Sequence, residues 1–284
     1  MKLAFVTPPY PLSGIPIGAA SHGMVGCEDE TLPNVCWFSP DLHGEIVIGS
    51  YEECLSHLPD KVPQAVVVLL GNAGGENEFV AELSKLLPCP MTGGGAAIDG
   101  VSGKKGLITG GGEAALFFIQ DDRYELSVES KSVHTQVLEE CELELEKPRL
   151  IRTINGTDAL CWYQQKRAQL GLQEMDFEHL TLADRYGVNA HLSITDGKLA
   201  AGRDLQTHMV LRYAPPADVQ KQMQEFYDEP DCVVFGCAGL KDLLEQPLKT
   251  EGLGLFLFGE VCTMNGKVEF GNLMLSKLSV RQKG

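Results

Sequence analysis

The sequence predicts an α/β protein with mixed β-sheets flanked by helices, made of two similar, interlocked halves at residues 1–150 and 151–284. Three observations lead there. The apolar runs Ala65–Leu70 and Cys232–Phe235 read as buried central strands, and each leads through a Gly-bearing loop into a helical repeat. Asp196-Gly197 and Asn265-Gly266 lie between apolar segments and carry the chemistry of two-residue hairpin turns. At 284 residues the chain can bury a single large core or two halves of about 140 residues each.

Along the chain, the residues up to Pro33 are rich in Gly and Pro, and short strands follow at Val35–Phe38 and Glu45–Ile48. Ser50 and Glu53 form a capping box for a helix over Tyr51–Leu58. After the strand Ala65–Leu70 and the loop Gly71-Asn72-Ala73-Gly74-Gly75, residues Phe79, Leu83 and Leu86 repeat at helical spacing through Leu87. A glycine-rich segment, Thr92–Gly100, precedes strands at Leu107–Thr109, Ala114–Gln120 and Tyr124–Ser130. Val137–Leu145 alternates strictly, with Glu140, Glu142 and Glu144 on one face and Cys141, Leu143 and Leu145 on the other, as in a half-solvated strand.

Arg149–Ile154 continues as a strand to Asn155-Gly156, and a helix follows with Thr157 as N-cap and Gly171 as its stop. The second half opens with a loop-rich span to Asp184. A hairpin of His191–Thr195 with Lys198–Ala201 and a strand Met209–Tyr213 come next. Pro215-Pro216 starts a helix that places Val219, Met223, Phe226 and Tyr227 on one face, with proline where a missing N–H costs little. Cys232–Phe235, Gly236-Cys237-Ala238-Gly239 and a helix bearing Leu240, Leu243 and Leu244 repeat the earlier strand, loop, helix order, which is the pattern of an internal duplication. Leu255–Phe258 then reads as one apolar strand that carries Glu260 and turns back at Asn265-Gly266.

A net charge of -16 opposes nucleic acid and anionic membranes as partners, since both recruit Lys and Arg. No run approaches the roughly 18 apolar residues of a membrane helix. Nine scattered cysteines without a C-x-x-C pair, and an N-terminal apolar stretch too short for a signal peptide, predict a soluble cytoplasmic protein.

Few residues carry a chemical signature. Gly93-Gly94-Gly95 and Gly110-Gly111-Gly112 match neither a dinucleotide fingerprint nor a P-loop, so no cofactor is expected. Their open backbone suits either close packing or a ligand cavity. The seven histidines lack metal-ligand spacing. Cys237, at a strand end before a helix, is the best candidate thiol nucleophile, because a helix N-terminus favours the thiolate. Asp99 and Glu260 form a candidate carboxylate pair for acid-base work. Glu260 is the residue whose burial most needs an explanation: backbone N–H donors, an Arg partner such as Arg152 or Arg203, or a ligand's amino group.

The C-terminal segment GLGLFLFGEVCTMNGKVEFGNLMLSKL resembles the close of the FIST sensory domain, where a Gly-rich strand ends in Gly-Glu and an Asn lies in the returning strand. LIRTINGTDALCWYQQKRAQL, residues 150–170, is similar to that family's connection between halves, and FVAELSKLLPCPMTGGGAA to its first-half helix and glycine turn. Residues 1–60 depart from the pattern. The resemblance implies a ligand-sensing module for small molecules such as amino acids, acting through a signalling partner or a second copy. It carries ligand binding to Gly259, Glu260 and Asn272, more weakly to Arg152, and assigns no catalytic residue. Gly93, Gly94 and Asp99 complete the expected pocket. The alternatives are a hydrolase or amidase using Cys237 or a carboxylate pair, and an assembly scaffold.

Overall fold

The computed structural model describes residues 3–6, 18–20, 23–26, 35–38, 41–71, 74–96, 112–173, 177–249 and 251–284. The strand expected at Leu107–Thr109 lies outside them, as does Asp99. Within them the chain is a mixed α/β protein.

The first elements are β1 (Leu3–Val6), β2 (Gly18–Ala20), β3 (Gly23–Gly26), β4 (Val35–Phe38), β5 (Gly44–Ser50), α1 (Tyr51–Ser56), β6 (Ala65–Leu70), α2 (Glu76–Leu86) and β7 (Met91–Gly95). Next come β8 (Glu113–Ile119), β9 (Tyr124–Ser132), β10 (Gln136–Lys147), β11 (Leu150–Ile154), β12 (Thr157–Asp158), α3 (Ala159–Gln169), β13 (Leu180–Ala183), β14 (Asn189–Thr195) and β15 (Lys198–Ala201). The chain ends with β16 (His208–Tyr213), α4 (Pro216–Tyr227), β17 (Cys232–Cys237), α5 (Ala238–Lys241), β18 (Leu253–Leu257), β19 (Glu260–Met264), β20 (Lys267–Gly271) and β21 (Met274–Gln282).

Two sheets form the centre, in the orders β20-β19-β7-β6-β8-β5 and β3-β18-β17-β21-β9. Each contains the same arrangement. A central strand (β6 or β17) pairs parallel with the strand after its helix (β7 or β18). It pairs antiparallel with the next (β8 or β21), and β5 or β9 closes the edge antiparallel. The halves interlock because each lends strands to the other: β19 docks on β7, and β3 docks on β18.

Alternation along the strands explains the layering. Ala65, Val67 and Leu69 join Val233, Phe235, Leu253, Leu255 and Leu278 in one core between the two sheets. The opposite face of β6, Val66, Val68 and Leu70, packs on Phe79, Val80 and Leu83 of α2. Val234 and Phe256 pack likewise on Val219, Met223 and Phe226 of α4. With period-2 side chains, both faces of the central strands must be apolar, as the sequence has them.

A third sheet runs β10-β16-β13-β14-β15-β11-β12, and an added β10–β11 pairing closes it on itself. Its core includes Leu143, Leu182, Leu192 and Leu211, with Trp162 and Tyr163 of α3 packed against it. The boundary expected at residue 150 falls at the first residue of β11, so this sheet straddles it. β1, β2 and β4 form a separate small sheet.

Several local expectations shift. Asp158, not Thr157, caps α3, its Oδ1 accepting from Cys161 N at 3.0 Å, while Thr157 is still paired in a strand. The span before Asp184 holds β13, whose Leu180 and Leu182 are buried; its four residues were too few to show a period. The helix after Cys237 covers only Ala238–Lys241. The apolar run from Leu253 to Met264 is two strands in two different sheets, broken at Phe258-Gly259, where Gly259 has φ 81°. Asn265 and Gly266, at φ 49° and 75°, then make the left-handed hairpin turn that their residue types favour.

Candidate functional site

The break at Phe258-Gly259 lies where the sheets meet, and a cavity of about 630 Å³ opens beside it. Elements of all three sheets line it. Gly74 and Glu76 come from the start of α2, Arg149 from the β10–β11 turn, and His191 and Gly202 from the closed sheet. Cys237, Gly239 and Asp242 follow β17, and Gly259, Asn272 and Leu273 come from the turns flanking β19 and β20. Phe258, 37% exposed, is an apolar lining residue that faces solvent.

The wall around Cys237 follows from local backbone. β17 delivers Cys237 at its last residue, where backbone groups of Leu273, Gly239 and Gly259 come close enough to its sulfur to favour the thiolate. Leu273 has φ 53°, a left-handed conformation. Gly259 is confined by Phe270, because a Cβ there would stand 2.3 Å from the ring. Gly95 N donates to Gly259 O at 3.0 Å, and Phe258 N donates to Gly95 O at 2.9 Å, which pins the break to β7.

Glu260 is 0% exposed and does not line the cavity. Its Oε2 accepts from Met274 N at 3.2 Å, and its Oε1 has no hydrogen-bond partner among the described residues. Neither Arg suggested as its partner reaches it. Arg152 is on the surface, bonded to Glu144 at 2.9 Å, and Arg203 is buried between Asp184 and Glu269, each at 3.2 Å. Cys237, which does line the cavity, is the neighbouring side chain that lowers the Glu260 carboxyl against the effect of burial.

Burial pushes the Glu260 carboxyl well above its ordinary range, with Met274 N–H and the Cys237 thiol opposing. Burial, and then the charge of Glu260, push the Cys237 thiol strongly upward, against those three backbone groups. The expectation of a thiolate favoured by a helix terminus is therefore overturned: α5 is one short turn, and desolvation outweighs it. Tyr227 is also raised, by burial and then by Glu260, so the hydroxyl belongs to the same buried cluster.

The expected glycines serve packing. A Cβ at Gly93 would meet Val68 O at 1.9 Å, and one at Gly94 would meet Gly259 O at 2.3 Å, so both let backbones approach and neither lines the cavity. Asn272 does line it. Its N–H is held by Asn189 O at 3.0 Å, and its Oδ1 has no partner among the described residues.

The polar lining went unforeseen, because its members are far apart in sequence. Glu76 is buried and accepts from Gly74 N at 2.6 Å. Arg149 donates from Nε to Asp204 at 2.7 Å and stands 4.0 Å from Glu76. Glu178 and Asp242 add two more carboxylates, while burial lowers His191 and so favours its neutral form. The lining thus has three carboxylates against one guanidinium.

No family model matches this chain, and no curated protein matches it significantly. Among the described residues no helix is long and apolar enough to cross a membrane, and no group of three or more His, Cys, Asp or Glu is placed to hold a metal ion.

Proposed function

We propose that this cavity binds a small molecule carrying a protonated amino group, with an amino acid or a related metabolite as the class, and that the protein is a cytoplasmic sensor. The carrying observation is the lining: Glu76, Glu178 and Asp242 share one concave space with Arg149. Carboxylates complement an ammonium, and a guanidinium complements a carboxylate, so a zwitterion satisfies both. At about 630 Å³ the space falls within the range of small-ligand sites. The resemblance of the Gly259-Glu260 and Asn272 region to the FIST sensory domain supports the same reading. Glu260 stands behind the wall rather than touching the ligand. A sensor passes occupancy on, and a signalling protein or a second copy of this chain is the proposed receiver.

Thermal shift with free amino acids, beside their N-acetylated counterparts, tests the reading. A ligand at a hundred times its Kd adds about 2.7 kcal/mol to stability, enough to raise the melting temperature measurably. The free amino acid that binds should lose its effect when acetylated and weaken against Asp242→Asn. No shift with any free amino acid, or equal shifts for the acetylated forms, refutes it.

A further inference from the structure

Resting on the binding reading and deepening it, we infer that His134 and Asn189 are positioning residues of this cavity, which hold its Glu178 and Leu273 walls in place before a ligand arrives. Both are fully buried, and neither lines the cavity.

The hydrogen bonds fix which atom plays which part. Asn189 Nδ2 stands 2.7 Å from Ser132 Oγ, 3.1 Å from Leu273 O and 3.2 Å from His134 Nδ1. A carbonyl oxygen can only accept, so the amide nitrogen of Asn189, and not its oxygen, must face this group. His134 Nδ1 is then an acceptor, which leaves the ring proton on Nε2, and Nε2 donates to Glu178 O at 2.6 Å. The backbone extends the link, since Asn272 N donates to Asn189 O at 3.0 Å and Ala214 N donates to His179 O at 2.9 Å. Asn189 opens β14 of the closed sheet, and His134 follows β9 of a central one. One buried pair thus ties Glu178 to Asn272 and Leu273 where these sheets join.

Two costs fall on that stretch of wall. Leu273 is left-handed at φ 53°, a conformation that a bulky side chain takes only where its surroundings hold it. Asn189 Oδ1 is buried with no hydrogen-bond partner among the described residues, the consequence of turning Nδ2 to Leu273 O and its neighbours. The two held residues meet over Gly239, where a Cβ would stand 3.0 Å from Leu273 Cδ2 and 3.1 Å from Glu178 Cγ. All three line the cavity. A wall set beforehand spares the ligand the cost of ordering it, so loosening the pair weakens binding without removing any group that touches the ligand.

His134→Leu removes both ring bonds, whereas the amide of His134→Gln can give one and take the other. Amide hydrogen exchange read by mass spectrometry needs no ligand. In H134L the peptides holding Asn272 and Ala214 should exchange about tenfold faster, together, while the β6 peptide is unchanged, and H134Q should keep wild-type protection. A uniform rise along the chain, or a rise around residue 134 alone, overturns the proposal. Affinity is read by calorimetry on the folded protein, with the free amino acid that gives the largest thermal shift as the probe. Its Kd should weaken about tenfold in H134L and stay within about twofold in H134Q, a split that loss of stability alone does not produce. An unchanged Kd in H134L refutes the positioning role and spares the binding reading. Should no free amino acid bind, the binding reading falls, and hydrogen exchange alone decides whether this pair holds the walls. If H134L does not fold, Asn189→Ala takes its place: the Asn272 peptide should exchange faster, and no rise there refutes the proposal.

Discussion

Gly259→Ala should be among the most damaging single-methyl additions in this chain, and Gly156→Ala isolates the reason. Both glycines are left-handed, at φ 81° and 75°. Alanine in that region costs about 1–2 kcal/mol at either position. At Gly156 nothing lies within 4 Å of the new Cβ, so that cost is the whole effect. At Gly259 the Cβ stands 2.3 Å from Phe270 Cζ and 3.0 Å from two further ring atoms. Phe270 is itself 3% exposed and packed in the core under α2, so the ring cannot swing away freely. Overpacking adds about 1–3 kcal/mol. The expected losses are therefore about 1–2 kcal/mol for G156A and about 2–5 kcal/mol for G259A. Urea unfolding followed by circular dichroism measures both, with the slope checked for constancy. Equal losses at the two sites would show that Phe270 does not confine this turn, and the account of how the cavity wall is held would be wrong.

Two further perturbations test the frame around the site. His134 is fully buried, with Nε2 bonded to Glu178 O at 2.6 Å and Nδ1 facing Asn189 Nδ2 at 3.2 Å; burial, then His179, Arg212 and His191, lower it to about 4. A depressed histidine means that the folded state binds fewer protons, so its contribution is whole above the unfolded value near 6.5 and is lost as pH falls toward 4, by about 3 kcal/mol. His134→Gln should flatten stability between those pH values, and an unchanged acid slope rejects this. Asp158→Ala, which removes the acceptor for Cys161 N, should cost about 1 kcal/mol, whereas Thr157→Ala should stay within about 0.5 kcal/mol.

The layered fold was legible because period-2 burial leaves a strong mark. Ala65–Leu70 has both faces apolar, and the structure uses both, one against the second sheet and one against α2. Turn chemistry was legible for a similar reason: Asp196-Gly197 and Asn265-Gly266 adopt the positive φ their residue types allow. The Ser50 and Glu53 capping box forms as its spacing requires. The site was legible only where its residues sit in one stretch, as Gly259 and Asn272 do, while Glu260 in the same stretch lies outside the lining. Glu76, Arg149, His191 and Asp242 meet through tertiary packing, and no local period connects them. Arg152 is offered beside Arg203 as a partner for Glu260 because a sequence does not show which face of β11 is outward. Strand pairing turns it toward Glu144 instead.

The case of Glu260 shows why one misplaced boundary matters for function. Read as the end of one apolar strand, its carboxylate belongs at a strand terminus, open to whatever fills the pocket. The chain instead leaves one sheet at Leu257 and enters the other at Glu260, where it pairs with Gly271 on one side and Gly94 on the other. There its side chain is fully buried, so the carboxyl must find partners inside. Among the described residues, Met274 N donates to its Oε2, and Cys237, Tyr227 and Cys262 are the titratable neighbours that feel its charge. The glycine that permits the sheet change, Gly259, also lines the cavity beside Cys237. The same backbone step therefore buries the acid and leaves Gly259, its chain neighbour, and Cys237, whose thiol its charge raises, to line the cavity in its place.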